Sequence, residues 1–338
     1  MNDSTHRIRT GIIGYGLSGR IFHSPFVAAN DRFSLEVIAT SDPARQSDAH
    51  EHHPGAEIVS TPGELLERDL DLVVLATPAH VHLEQGLAAF ARGAAVVVDK
   101  PFAASVAEAS RLIDAGGRLF VYQNRRWDGD FLTVKKLVLS GALGTVHRFE
   151  SSFERWSPAL RDRWQDTTPV SQGAGITYDL GSHLVDQALQ LFGPATLVDA
   201  ELSVLRDGGV SDDDAFLSLR HDSGVHSHLT ASRFAGQSGP RFRVLGSESA
   251  YTSYGLDGQE PALMAGASPS DPGFGETPSE NWGELGVGAA LRSVPMERGD
   301  YAAFYAGVAA ALLDGADGPV DARDSLAALS ILEQAHGF

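Results

Sequence analysis

An α/β domain built on a parallel sheet, followed by an α+β domain with a mainly antiparallel sheet, is the fold class that this sequence predicts. Two observations carry it. Over residues 7–124, short and almost continuously apolar segments alternate with helical ones, as strands buried on both faces require. From Thr145 onward, apolar residues alternate singly with polar ones, the period of strands with one face on a core. The change falls at Asn124, so domains are expected over 1–123 and 124–338.

The first strand, "RIRTGII" (7–13), runs straight into "GYGLSG" and then into "RIFHSPFVAAN", whose apolar spacing is helical. "SLEVIATSD" (34–42) is a second strand and "DLDLVVLATP" (69–78) a third; "HVHLEQGLAAFARG" (80–93) is a helix stopped by Gly93. "AAVVVDKP" (94–101) is the fourth strand, "SVAEASRLIDAGG" (105–117) a helix and "RLFVYQN" (118–124) the fifth strand. Beyond the junction, "FLTVKKLVLSGALG" (131–144) predicts a helix. "VHRFESSFERW", "LVDAELSVLR", "DAFLSLRH", "GVHSHLTASRF" and "PRFRVLGSESAYTSYG" predict the strands of the second sheet. Residues 256–299, rich in Gly, Pro, Ser and Asp, predict a long surface excursion, and "YAAFYAGVAAALLDG" and "DARDSLAALSILEQAH" two closing helices.

At 338 residues, 43% hydrophobic and 21% charged, the chain has the composition of a globular protein with room for two cores. Its formal charge of −18 argues against nucleic acid or an anionic membrane as a partner, since phosphates attract basic surfaces. With no cysteine, disulfides, thiolate nucleophiles and Cys-based zinc sites are excluded. The N-terminus has no apolar signal core and no apolar run reaches the roughly 18–20 residues of a membrane span, so a cytoplasmic location is expected.

Gly14, Gly16 and Gly19 fit G-x-G-x-x-G between the first strand and the first helix. The first glycine permits the tight turn, the second admits a pyrophosphate to the backbone, the third allows close packing, and the helix N-terminus supplies N–H groups for the anion. Among 36 glycines the pattern alone is weak. Its placement, with Asp42 ending the second strand 23 residues after Gly19, makes it a dinucleotide-binding turn. Asp42 suits ribose hydroxyls and so leans the cofactor toward NAD, while Ser41 and Arg45 beside it suit the extra phosphate of NADP. A plain Asp-Pro turn is the competing reading of "SDPAR".

Ligands of open parallel sheets lie beyond the carboxyl ends of the strands, which places Thr77, Pro78, Lys100 and Asn124 on one edge with the Gly14–Gly19 turn. Only three of the 26 basic residues are lysines, two of them the neighbours Lys135 and Lys136, so Lys100 at the end of a buried strand is exceptional. A surface lysine is the alternative. Asp179 and His183, in "YDLGSHLVDQALQLFG", are four apart and share a helix face; the alternative is a helix-start acid and a satisfied, partly buried histidine. Acid, histidine and lysine together make a proton-transfer set with no metal site. Arg125, Arg126 and Trp127 at the domain junction suit a polyhydroxylated substrate, with ion pairing equally suited to one arginine. Arg163 and Trp164 follow in "RWSPALRDRW", where an aromatic ring suits stacking on a sugar.

"GIIGYGLSGRIFH", "ATPAHVH", "DKPF", "NRRWDGDFLTVKKL", "YDLGSHLVDQALQLFG" and "YGLDGQEPAL", in this order, resemble the glucose-fructose oxidoreductase and inositol dehydrogenase (Gfo/Idh/MocA) superfamily. The last four are particularly similar to the subgroup of NADP-dependent scyllo-inositol dehydrogenases. The resemblance implies a Rossmann domain followed by an open-faced antiparallel sheet domain. It also implies a nicotinamide cofactor, oxidation of a cyclitol or sugar hydroxyl, and a homodimer or homotetramer formed through that sheet. The family's E-K-P lysine falls on Lys100 and its D-x-x-x-H pair on Asp179 and His183, which become the expected catalytic residues. Asp99 stands where the family usually has Glu, Asp42 is less typical of a strictly NADP-dependent member, and the chain stops earlier than similar ones. The expected cofactor set is Gly14, Tyr15, Gly16, Leu17, Ser18, Gly19, Ser41, Asp42, Arg45, Thr77, Pro78, His82, Lys100 and Asn124. Substrate is expected at Lys100, Arg125, Arg126, Trp127, Arg163, Trp164, Tyr178, Asp179 and His183. A dinucleotide-binding sensor without catalysis is the alternative function.

Overall fold

The structure, a computed structural model, describes residues 7–161 and 163–337. Six strands, β1 (Ile8–Ile13), β2 (Phe33–Ala39), β3 (Glu57–Val59), β4 (Leu72–Leu75), β5 (Ala95–Asp99) and β6 (Leu119–Tyr122), form a wholly parallel sheet. Their order is β3-β2-β1-β4-β5-β6. Five are the strands expected; β3 has three residues, too few to show a period. Leu72–Leu75 and residues 95–98 are at most 5% exposed, because helices cover both faces of the sheet. Strand order reverses at β1, so the carboxyl ends of β1 and β4 diverge around a crevice. After β2 the chain forms the helix Pro43–His52 rather than a plain turn, capped by Asp42 Oδ1, which accepts from the backbone N–H groups of Ala44 and Arg45 at 2.9 and 3.2 Å.

Eight further strands form the second sheet: β7 (Val146–Glu154), β8 (Ala195–Ser203), β9 (Asp214–His221), β10 (His226–Ser232), β11 (Phe242–Gly246), β12 (Ala250–Ser253), β13 (Gly283–Val287) and β14 (Ala290–Val294). The order is β14-β13-β12-β11-β7-β10-β9-β8, antiparallel except where β7 meets β10. Helix Ser182–Phe192 packs against β7 and β10, and its Leu184, Val185 and Ala188 share one buried cluster with Phe149 and Leu229.

Residues 256–299 are not the loop their composition suggested. They hold the helix Gln259–Met264 and the hairpin β13–β14. Residues 290–293 are all exposed, so no core lies beneath them to impose an apolar alternation on the sequence. Asp257 Oδ2 accepts from Gly129 N at 2.7 Å, and Gln259 Oε1 accepts from Tyr301 N at 2.8 Å, tying this segment into the interior. The two closing helices are Ala302–Asp314 and Ala322–Ala335. The first returns to the parallel sheet: the Phe304 ring lies 4.8 Å from Tyr122 and the Tyr305 ring 5.7 Å from Phe33. Among the described residues no helix is long and apolar enough to cross a membrane.

Candidate active site

Between β1 and the first helix the glycines do three different jobs. Gly14 has φ +96°, and a Cβ there would lie 2.3 Å from Ala76 O; one on Gly19 would lie 2.0 Å from Gly14 O. Those two close the turn. A Cβ on Gly16 would meet only Arg45 Nη1, at 3.6 Å, so this glycine leaves its backbone open to an approaching group. The helix starts with one widened turn, Ser18–His23, a feature that recurs at functional sites. Tyr15 is 1% exposed and sits edge-on to His53, so it offers the cleft its backbone alone, while Leu17 is exposed. Asp42 spends Oδ1 on its helix cap, and Oδ2 lies 3.6 Å from Arg45 Nε. Ser41 and Arg45 are exposed beside it. An open glycine backbone at a helix start, with an acid and an arginine at the end of the second strand, fits a dinucleotide.

The neighbouring strand ends are tied to this turn. Asp99 Oδ1 accepts from Lys100 N at 2.7 Å, and Oδ2 accepts from the Ser18 hydroxyl. His23 Nε2 lies 3.8 Å from the same oxygen, and His23 Nδ1 contacts the Tyr305 hydroxyl at 2.7 Å. Burial alone would raise the Asp99 pKa; His23, Lys100 and Ser18 outweigh it and hold Asp99 below the usual range. Thr77 Oγ1 donates to Gln85 Oε1 at 2.7 Å. His82 lies against the backbone of this edge. It is fully buried, its Nε2 2.8 Å from Thr77 O and its Nδ1 3.1 Å from Phe102 O, and it braces two loop ends from below. Pro78 is partly exposed next to Thr77, and Asn124, 6% exposed, opens the turn that leads out of the parallel sheet.

Lys100 and Asp179, 79 residues apart, meet in this crevice. Lys100 Nζ donates to Asp179 Oδ1 at 2.9 Å and to Asp179 O at 2.8 Å, which leaves one of its three N–H groups over. Asp179 Oδ2 accepts from Arg233 Nη2 at 2.7 Å. Burial would raise the Asp179 pKa, but Lys100 and Arg233 override it and keep the carboxylate ionised far below its ordinary range. A widened turn, Thr177–Gly181, sets Asp179 ahead of the regular helix Ser182–Phe192. Asp212 Oδ2 holds that turn by accepting from Thr177 N at 2.7 Å. His183 is 3% exposed. Burial, then the positive charges of Lys100 and Arg125, push its pKa well below 6.5 against the pull of Asp179, so it is neutral at physiological pH. Asp179 is engaged by Lys100 and Arg233, so its influence on His183 is electrostatic.

The remaining expected substrate residues divide. Arg125 pairs with Asp128 at 3.2 Å and Glu260 at 2.7 Å, close enough to His183 to shift its titration. Arg126 is a structural cation: it grips Asp186 through two bonds of 2.6 and 2.8 Å and reaches Asp324 at 3.2 Å. Trp127 packs on Phe304, with ring centroids 5.9 Å apart. Tyr178 is buried; its ring stacks on His336 at 5.2 Å and burial pushes its hydroxyl up to about 12. Arg163 pairs with Asp166 at 2.9 Å and contributes to the field at Asp179, and half-buried Trp164 begins the short helix Trp164–Thr167. Arg233 is the site residue that motif reasoning passes over. A usable signal exists: in β10 Leu229 and Ala231 face the core, and the same parity carries an arginine at 233.

Comparison with known proteins adds the following. Residues 8–118 match the family described as "Oxidoreductase family, NAD-binding Rossmann fold", and residues 131–252 match the "GFO/IDH/MocA C-terminal domain". The scyllo-inositol 2-dehydrogenase (NADP(+)) IolW of Bacillus subtilis is 34% identical over 337 residues, covering 97% of this chain and 92% of that protein. The uncharacterized oxidoreductase YdgJ of Escherichia coli is 37% identical, covering 96% of this chain and 94% of its own. The crystal structure of an oxidoreductase from Bacillus cereus superposes with a TM-score of 0.88 at 27% identity, over 98% of this chain and 97% of that one.

Proposed function

The chain belongs to the Gfo/Idh/MocA family of NAD(P)-binding oxidoreductases, and from that premise we propose that it oxidises a secondary alcohol of a cyclitol or sugar, as a scyllo-inositol dehydrogenase does. The observation that carries the proposal is the Lys100–Asp179 ion pair in the crevice at the carboxyl ends of the parallel strands, with His183 four residues on and within the field of both charges. Gly14, Gly16, Gly19, Asp42 and Thr77 would hold the dinucleotide, which supplies the hydride acceptor for oxidation and the hydride donor for reduction.

The chain's own groups handle the proton and the developing charge. His183, neutral at physiological pH, accepts the hydroxyl proton as the carbon–oxygen bond gains carbonyl character. The spare N–H of Lys100 donates to the same oxygen and stabilises its alkoxide character, an ammonium being a compact donor where a guanidinium spreads its charge. Asp179 fixes the position of Lys100 through two bonds, so the donor is in place before the substrate arrives. In reduction the proton moves back from the imidazolium.

Asp42 and Arg45 leave both cofactors open, with Asp42 favouring NAD and Arg45 a 2′-phosphate. Assembly into a dimer or tetramer through the second sheet, two domains dividing near residue 124, and a cytoplasmic location complete the proposal. A spectrophotometric screen of inositols, aldoses and ketoses with NAD and NADP tests it. Turnover of at least one polyol that is abolished in His183→Asn is expected; cofactor binding with no turnover across the panel overturns the reading in favour of a sensor.

A further inference from the structure

The wall of the crevice formed by the second sheet carries more positive charge than its acids neutralise. In β7, Phe149, Ser151 and Phe153 are buried, and the same parity puts Arg155, itself exposed, on the crevice side just past the strand end. In β10 the equivalent position is Arg233. The two strands run parallel with Ala231 level with Phe153. The pairing continues beyond them, from Arg155 N to Ser232 O at 3.0 Å and from Ser157 N to Arg233 O at 2.8 Å. Two guanidinium-bearing residues therefore stand level on neighbouring strands, an arrangement that repels unless an anion lies with them.

Asp179 meets only part of this charge, since it is shared between Arg233 and Lys100. Arg233 is 2% exposed and its Nη1 is buried without a hydrogen-bond partner. Burial, reinforced by Arg155 and Arg163 against the pull of Asp179, lowers the Arg233 pKa to about 10. Arg155 feels Asp179 and Glu260 as attractive neighbours and Arg163 and Arg161 as repulsive ones. No carboxylate pairs with it among the described residues. The nearby acids are occupied: Asp166 by Arg163 at 2.9 Å and Arg206 at 3.2 Å, with Arg233 Nε at 3.9 Å, and Glu260 by Arg125 at 2.7 Å. Arg163 Nε is likewise buried and unpartnered. In a chain of net charge −18, this is a local construction and not a general basic surface.

The dry, unpartnered N–H groups of Arg163 and Arg233 are costly, and a guanidinium's planar fork matches the oxygens of a carboxylate or phosphate. On the reading that this crevice oxidises a polyol hydroxyl, we propose that the substrate also carries an anionic oxygen group, a carboxylate or a phosphate, bound by Arg155, Arg163 and Arg233. A sugar acid or a polyol phosphate offsets the surplus charge; a neutral cyclitol leaves it in place.

The test compares neutral aldoses and cyclitols with their uronate or aldonate counterparts and their monophosphates, each with NAD and NADP. An anionic member is expected to exceed its neutral counterpart by about tenfold or more in kcat/KM. In Arg155→Gln that preference falls by about tenfold, chiefly through KM, and Arg155→Lys keeps an intermediate share because charge remains without the fork. Whether carboxylates or phosphates lead identifies the group. Neutral substrates turned over as well as anionic ones, with the ratio unmoved in Arg155→Gln, overturn the anion site while leaving the dehydrogenase reading intact. If nothing in the panel is turned over, calorimetric titration of inorganic phosphate, glucuronate and glucose 6-phosphate into the complex with reduced cofactor decides the matter. Saturable binding weakened about tenfold in Arg155→Gln upholds the site, and absence of binding by all three refutes it.

Discussion

Lys100→Met is the substitution for which the structure makes the most specific demand. It keeps the unbranched apolar stem of the side chain and removes three donors: one to Asp179 Oδ1, one to Asp179 O, and the one left for substrate. Loss of a donor to a developing oxyanion costs about 10²–10³ in kcat, or ~2.7–4 kcal/mol. The ion pair contributes separately to stability. Its side chains are 19% and 12% exposed and Asp179 keeps Arg233, so the loss falls short of the ~3–5 kcal/mol for a fully buried charge left alone. About 1–3 kcal/mol is expected, a fall in Tm of about 1–4 °C for a chain of this size. A third effect has a definite sign. Lys100 helps depress the His183 pKa, so its removal moves the acid limb of kcat/KM to higher pH. Steady-state kinetics across pH and thermal melting, with each cofactor saturating, read all three. A kcat within about threefold of wild type, together with an unmoved acid limb, refutes the role given to Lys100.

Other predictions separate architecture from chemistry. Gly16→Ala meets only the flexible end of Arg45 and keeps the wild-type Tm, yet the KM for NAD(P) rises at least about tenfold; Gly19→Ala, whose methyl would sit 2.0 Å from Gly14 O, lowers Tm outright. Asp42→Ser retains the helix cap but removes the charge, and the NADP-to-NAD ratio of kcat/KM is expected to rise by about tenfold or more with little change in Tm. His183→Asn tests linkage. The folded pKa lies below the unfolded value of about 6.5, so between the two the unfolded chain binds the proton and stability falls as pH falls. Melting from about pH 7 down to about pH 5 is therefore less steep in the variant than in wild type, and equal slopes contradict a buried neutral histidine.

Much of this protein is legible in local sequence because local rules govern it. A strand buried on both faces must be apolar throughout, so β1, β2, β4, β5 and β6 are visible; a pyrophosphate turn needs glycines at fixed spacing, so Gly14, Gly16 and Gly19 are visible too. Lys100 stood out through its rarity and its place at a strand end. Elements without a core beneath them left no trace: β3 is three residues long, and β14 presents four consecutive exposed residues.

What each polar side chain does belongs to the tertiary structure. Arg125 and Arg126 are adjacent and chemically identical, yet one lies within the field of His183 and the other is locked to Asp186 and Asp324. His82 sits in a motif at the cofactor edge, yet two backbone carbonyls hold it beneath the surface. Arg233 reaches Asp179 from 54 residues away, and Lys100 from 79 in the other direction. The physical reason is range. Periodicity and turn chemistry act over a few residues and are written consecutively in the chain, whereas a charge is defined by whichever groups folding brings within a few ångströms of it, and no local pattern records them.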